Sequence, residues 1–148
     1  PVERIVCVEV QKTLCDMALE NVIANGLTPR VEVVEKDFRE LPAIYPEGFF
    51  SVVVSNPPYM KAGDGRVSPV KERAISRSEV LGRLGDLIRV SKHLVGKGGR
   101  ICYVFPIRRH GEMMEGLCGA GLIPGRIRFI HTGADKTPKL FLIEAQVE

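Results

Sequence analysis

Apolar residues along the chain follow two rhythms. Short runs rich in β-branched residues, RIVCVEV (Arg4–Val10), VEVVE (Val31–Glu35), FFSVVVS (Phe49–Ser55) and RICYVF (Arg100–Phe105), predict buried strands. Between them the spacing changes to that of helices. Leu14, Ala18 and Val22 predict a helix over Gln11–Asn25, with Gly26 placed to end it. Val80, Leu81, Leu84, Leu87, Ile88, Ser91, Leu94 and Val95 predict an amphipathic helix closed by GKGG. A third helix is predicted over Arg108–Cys118, its polar face beginning with Arg108 and Arg109. Arg126–His131 and Leu140–Gln146, joined by a polar connection, predict an antiparallel pair that closes the sheet. Strand alternating with helix is the signature of an α/β fold with a mostly parallel, doubly wound sheet. Residues 59–78 carry Gly63, Gly65 and Pro69 among basic residues and predict a long irregular loop, functional or mobile.

The run FFSVVVS ends at Asn56-Pro57-Pro58-Tyr59. Proline supplies no backbone N–H and holds φ near one value, so the strand must stop at Asn56. The elbow presents Asn56, two carbonyls without a following N–H and an aromatic ring at the strand's carboxyl end. Open α/β sheets bind ligands at that end.

Charge sharpens this picture. Over 148 residues the net charge is +3, yet residues 1–60 hold five basic against nine acidic side chains and residues 61–148 hold sixteen against nine. The basic part begins directly after the elbow, which suits a polyanionic partner. At 45% hydrophobic and 26% charged residues the composition is that of an ordinary globular domain, and no apolar run reaches membrane-spanning length, so a cytoplasmic protein is expected. Cys7, Cys15, Cys102 and Cys118 stand singly in apolar surroundings and are expected to be reduced core residues. His93, His110 and His131 are too scattered for a ligand set, so no metal is expected.

Glu9 after one strand, Asp37-Phe38 after the next and Asn56-Pro57-Pro58-Tyr59 after the third resemble the S-adenosylmethionine-dependent methyltransferases, as do the segments LGDLIRVSKHLVGKGGRICYVFP and GLIPGRIRFIH. The subfamily that methylates N6 of an adenine beside the anticodon of a valine tRNA is the most similar. The resemblance implies a Rossmann-like class I sheet and S-adenosylmethionine as cofactor. It implies that Glu9 binds the ribose hydroxyls, Asp37 the adenine amine, and that Phe38 flanks the adenine ring. Asn56 and Pro57, held by Pro58, would accept hydrogen bonds from the target amine, with Asn56 also next to the cofactor, and Tyr59 would stack on the base. Lys61, Arg66, Lys71, Arg73, Arg77, Arg108 and Arg109 are candidates for tRNA phosphates.

The sequence also departs from the family. Only eight residues precede Glu9, whereas the first strand and its glycine turn lie about 20 residues before such an acidic strand end. The chain is therefore expected to be the C-terminal portion of one catalytic domain, lacking the first strand, with strand edges that favour a homodimer and with little cofactor affinity by itself. Ser76-Arg77-Ser78-Glu79 stands where the closest relatives tend to carry Ala-Arg-His-Glu. The elbow also serves enzymes that methylate a glutamine amide in release factors or a guanine amine in ribosomal RNA. A non-catalytic RNA-binding or assembly module is a further alternative.

Overall fold

A computed structural model describes residues 2–57 and 84–147. The chain divides into two compact units, Pro1–Ile44 and Tyr45–Glu148.

In the first unit, β1 (Ile5–Glu9) pairs in parallel with β2 (Val31–Glu35), and the connecting helix α1 spans Lys12–Ala24. The register runs from Ile5 opposite Val31 to Glu9 opposite Glu35, so both strands end on a carboxylate. Leu27 N–H donates to the Val22 carbonyl just beyond α1 and turns the chain back toward β2. A 3₁₀ turn over Phe38–Ala43 follows β2. Cys15, Val22 and Leu41 are the buried apolar residues among those described in this unit. The β1 run, expected as a buried strand, alternates instead: Val6 and Val8 are half-buried while Ile5 and Cys7 are exposed.

The second unit carries a four-stranded sheet in the order β3 (Val52–Ser55), β4 (Arg100–Pro106), β6 (Leu140–Val147), β5 (Leu122–Ile130). β3 and β4 are parallel; β6 runs antiparallel to both of its neighbours, β4 and β5. The expected antiparallel closure is thus present, with the last strand of the sequence inserted inside the sheet and β5 at its rim. Two helices, α2 (Leu84–Val95) and α3 (His110–Gly119), cover one face. Ile101, Tyr103 and Phe105 of β4 and Phe141, Ile143 and Ala145 of β6 point into that core together with Ile88, Met113 and Leu117. Residues one position away, such as Val54 and Leu142, lie on the opposite face, where a groove of about 270 Å³ is bordered by Val54, Val104, Arg126, Arg128, Leu142 and Glu144. This period of two is what a sheet covered on one side requires.

The turn into β3 is fixed by a close backbone approach. Gly96, at φ +57°, leaves α2 beside Gly48, and a β-carbon there would come within 2.7 Å of the Gly48 α-carbon. The N–H groups of Gly48 and Phe50 donate to the carbonyls of His93 and Leu94 at 2.9 and 3.0 Å, tying this turn to the end of the helix. Tyr45, Phe49 and Phe50 stack nearby with ring centroids 5.0 to 5.2 Å apart.

Candidate functional site

Each candidate acidic residue sits at the carboxyl end of a parallel strand, where the topology leaves polar groups accessible. Glu9 closes β1 and is half-buried. One carboxylate oxygen accepts from the N–H groups of Val10 and Gln11 at 2.8 and 2.9 Å, which fixes the chain as it leaves the strand for α1. A half-buried carboxylate held by its own turn fits a pair of hydroxyl donors.

Asp37 follows β2 and caps the 3₁₀ turn, accepting from the Arg39 N–H at 2.9 Å. The Arg39 guanidinium closes on the same carboxylate, with Nε 2.9 Å from Oδ1. That side-chain hydrogen bond, chiefly, holds the Asp37 carboxyl below its ordinary range; partial burial opposes it and the backbone N–H adds to it. Any other donor at Asp37 must share the carboxylate with Arg39. Phe38, half-buried, opens the 3₁₀ turn beside it.

In the second unit, Asn56 and Pro57 leave the carboxyl end of β3. Ser55 lies opposite Tyr103 while β4 continues to Pro106, so Asn56 and Pro57 leave β3 beside a strand that runs further. Asn56 is exposed and Pro57 half-buried. Pro58, Tyr59, Lys61, Arg66, Lys71, Arg73 and Arg77 lie outside the described residues.

Arg108 and Arg109, adjacent in sequence, are placed differently. Arg108 is exposed on the 3₁₀ turn Ile107–Arg109 that follows β4. Arg109 is buried: its guanidinium lies 4.8 Å from the Phe105 ring centroid and donates to Glu112 at 2.6 and 2.9 Å. This corrects the expectation of a polar face beginning with both arginines, because the turn rotates Arg109 back over the core and the carboxylate three residues on neutralises it. The cysteine expectation is corrected as well. All four are free thiols, but Cys7 and Cys118 are exposed, and only Cys15 is fully buried. Cys7 lies on the outward side of β1's alternation and Cys118 follows the inward-facing Leu117 on α3. Burial pushes the Cys15 thiol up, with the Glu35 and Glu9 carboxylates adding to it. Among the described residues there is no cluster of His, Cys, Asp or Glu suited to a metal ion, and no helix is long and apolar enough to cross a membrane.

The sequence did not point to the β5–β6 connection, residues 131–139. Lys139 N–H donates to Ile130 and Ile107 N–H to Lys139, so this connection is stitched to the chain that leaves β4.

No family model matches the chain. A relative from Parabacteroides distasonis named tRNA1(Val) (adenine(37)-N6)-methyltransferase is 27% identical over 138 residues, covering 93% of this chain and 56% of that protein. The chain thus spans about half the length of the curated relatives it matches. Among solved structures, TrmN from Thermus thermophilus superposes with a TM-score of 0.69 at 19% identity, covering 100% of this chain and 37% of that one. Geranyl diphosphate C-methyltransferase from Streptomyces coelicolor A3(2), solved with S-adenosyl-L-homocysteine, gives 0.70 at 13% identity over 99% of this chain and 64% of that one. The order of elements, the parallel pairs and the antiparallel last strand therefore belong to the class I methyltransferase fold.

Proposed function

We propose that both units of this chain belong to one catalytic domain of an S-adenosylmethionine-dependent N-methyltransferase, and that its acceptor is N6 of an adenine in a tRNA. The observation that carries this reading is the placement of Asn56, an exposed amide leaving the carboxyl end of a parallel strand pair directly ahead of a proline. The names of the sequence relatives support the tRNA substrate.

An exocyclic base amine is a weak nucleophile, because its lone pair is delocalised into the ring. It needs alignment and hydrogen-bond acceptors more than a strong base. In this reading the Asn56 side-chain oxygen and the Pro57 carbonyl accept the amine N–H groups and hold its lone pair in line as positive charge develops. Glu9 holds the ribose hydroxyls of the cofactor, Phe38 packs on its adenine and Asp37 takes the adenine amine alongside Arg39. Tyr59 stacks on a base turned out of its strand. Bound S-adenosylmethionine supplies an electrophilic methyl group on a sulfonium.

The test is transfer of labelled methyl by the complete protein to unmodified tRNA, ribosomal RNA and release factor. Asn56→Ala is expected to lower kcat on tRNA by about 10²- to 10³-fold, the loss typical of one preorganised transition-state hydrogen bond. Near-normal turnover in that variant rejects the role of Asn56. Transfer to a release-factor glutamine or to a ribosomal guanine amine reassigns the substrate. RNA binding without transfer by the complete protein replaces the enzyme with a binding module.

A further inference from the structure

We infer that the β5–β6 connection and Arg108 form one basic contact surface for RNA backbone phosphates. The inference rests on the RNA-substrate reading above and adds to it a surface outside the basic segment 59–78.

Three observations carry it. First, the connection is built. Lys136 N–H donates to Gly133 at 3.1 Å, and the His131 ring Nδ1, which must donate because a carbonyl only accepts, bonds the Lys136 carbonyl at 2.6 Å. Lys139 N–H reaches Ile130 at 3.1 Å and Ile107 N–H reaches Lys139 at 3.0 Å. Lysines on a fixed backbone lose less freedom on binding than lysines on a slack loop. Second, the charges converge. β5 and β4 run in the same direction, each antiparallel to β6, so the end of β5 and the end of β4 lie at the same end of the sheet. Exposed Lys136 and Lys139 are thereby brought to the turn that carries exposed Arg108, and Asp135 is the one acidic residue between 131 and 139. Third, that is also the end at which Asn56 emerges from β3. Cations placed there anchor a strand whose base is to be presented at the elbow, since phosphate contacts fix register while other groups read the base.

Arg109 does not contribute a phosphate contact. Its pairing with Glu112 and stacking on Phe105 hold the turn on which Arg108 is displayed.

The experiment uses the complete protein and unmodified tRNA. Affinity is measured by fluorescence anisotropy between 50 and 300 mM salt, and methyl transfer is measured separately. Each lost phosphate contact is expected to reduce the slope of log affinity against log salt by about 0.7 to 0.9. Arg108→Ala/Lys136→Ala/Lys139→Ala is therefore expected to flatten the slope by about 2 and to raise the tRNA KM about tenfold or more at 0.15 M salt, with kcat at saturating tRNA within about twofold. Lys97→Ala, an exposed cation just before β4 at the opposite end of the sheet, is the control and leaves the slope unchanged. A wild-type slope in the triple variant, while the wild-type protein still methylates tRNA, overturns the surface and spares the enzyme reading. An equal flattening by Lys97→Ala also overturns it, because the effect is then one of overall charge. Absence of tRNA methylation by the wild-type protein rejects the function, whereas a flattened slope in the triple variant still supports the surface.

Discussion

The two units fix their candidate residues by opposite means. Around residues 45–147, Phe105, Met113, Leu117 and Phe141 have no exposed surface, and helices α2 and α3 press one face of the sheet into a continuous core. Residues 1–44 hold far fewer buried side chains and expose Ile5, Val10, Met17, Leu19, Ile23 and Leu27. In the second unit, Asn56 and Arg108 are therefore positioned by long-range packing of the strands they leave. In the first, Glu9 and Asp37 are positioned by their own neighbours: Glu9 binds the two amides that follow it, and Asp37 binds the residue two further on. Packing held by a large core tolerates little loss of volume, whereas a local cap survives as long as its few partners do.

Truncating the core should break this contrast most directly. Phe141→Ala removes a fully buried ring that stacks edge-on with Phe105 at 6.5 Å, and is expected to cost about 3–5 kcal/mol in denaturant unfolding. Val22→Ala, the matching truncation in α1, removes less volume from a thinner layer and is expected to cost about 1–2 kcal/mol. Equal costs for the two would contradict the contrast.

These same differences mark what the sequence could and could not reveal. β2 was legible to the residue, since VEVVE is bounded by Arg30 and Lys36. β5 was not. It begins at Leu122, four residues before the expected start, because Pro124 and Gly125 read as breakers. They are accommodated because β5 is an edge strand with an irregular register between Pro124 and Arg126. The insertion of β6 between β4 and β5 is a matter of strand order, which no local pattern encodes. That Glu9, Asp37 and Asn56 end or follow strands was legible from the apolar runs before them, whereas it was the resemblance that singled them out. The fates of Arg108 and Arg109 were hidden, although Glu112 at i+3 and Phe105 at i−4 were the available signal. The β5–β6 connection was not singled out because no local pattern shows that β4 and β5 end together.

The Arg109–Glu112 pair sharpens the comparison at an intermediate scale. Glu112 is partly exposed, but Arg109 is not, so Glu112→Ala removes a charged hydrogen-bond partner from a buried guanidinium. An expected loss of about 1–3 kcal/mol follows from the two charge-assisted hydrogen bonds that go with it. Arg109→Met, which fills the space above Phe105 without a charge, is expected to be milder than Glu112→Ala. Thermal unfolding of both variants decides the order. The reverse order would mean that the guanidinium contributes more by its contact with Phe105 than it loses by burial.

The smallest effect belongs to the locally held end of the molecule. With its carboxyl held below the ordinary range by Arg39, Asp37 contributes stability that is fully present above its unfolded value of about 3.9 and is lost as the pH falls through the lower folded value. Asp37→Asn keeps an acceptor for the Arg39 N–H at the start of the 3₁₀ turn, so at neutral pH it should cost only a few tenths of a kcal/mol. Asp37→Ala removes the cap and should cost about 1 kcal/mol. As the pH falls from about 4 through the lower folded value, the wild-type protein should converge on the Asn variant, since a protonated carboxyl and an amide make similar hydrogen bonds. Thermal melts of the three proteins from pH 7 to pH 3 test this. If the gap between wild type and Asp37→Asn does not narrow at all as the pH falls from 4 to 3, the ion pair with Arg39 is not what holds Asp37, and the local cap alone positions it.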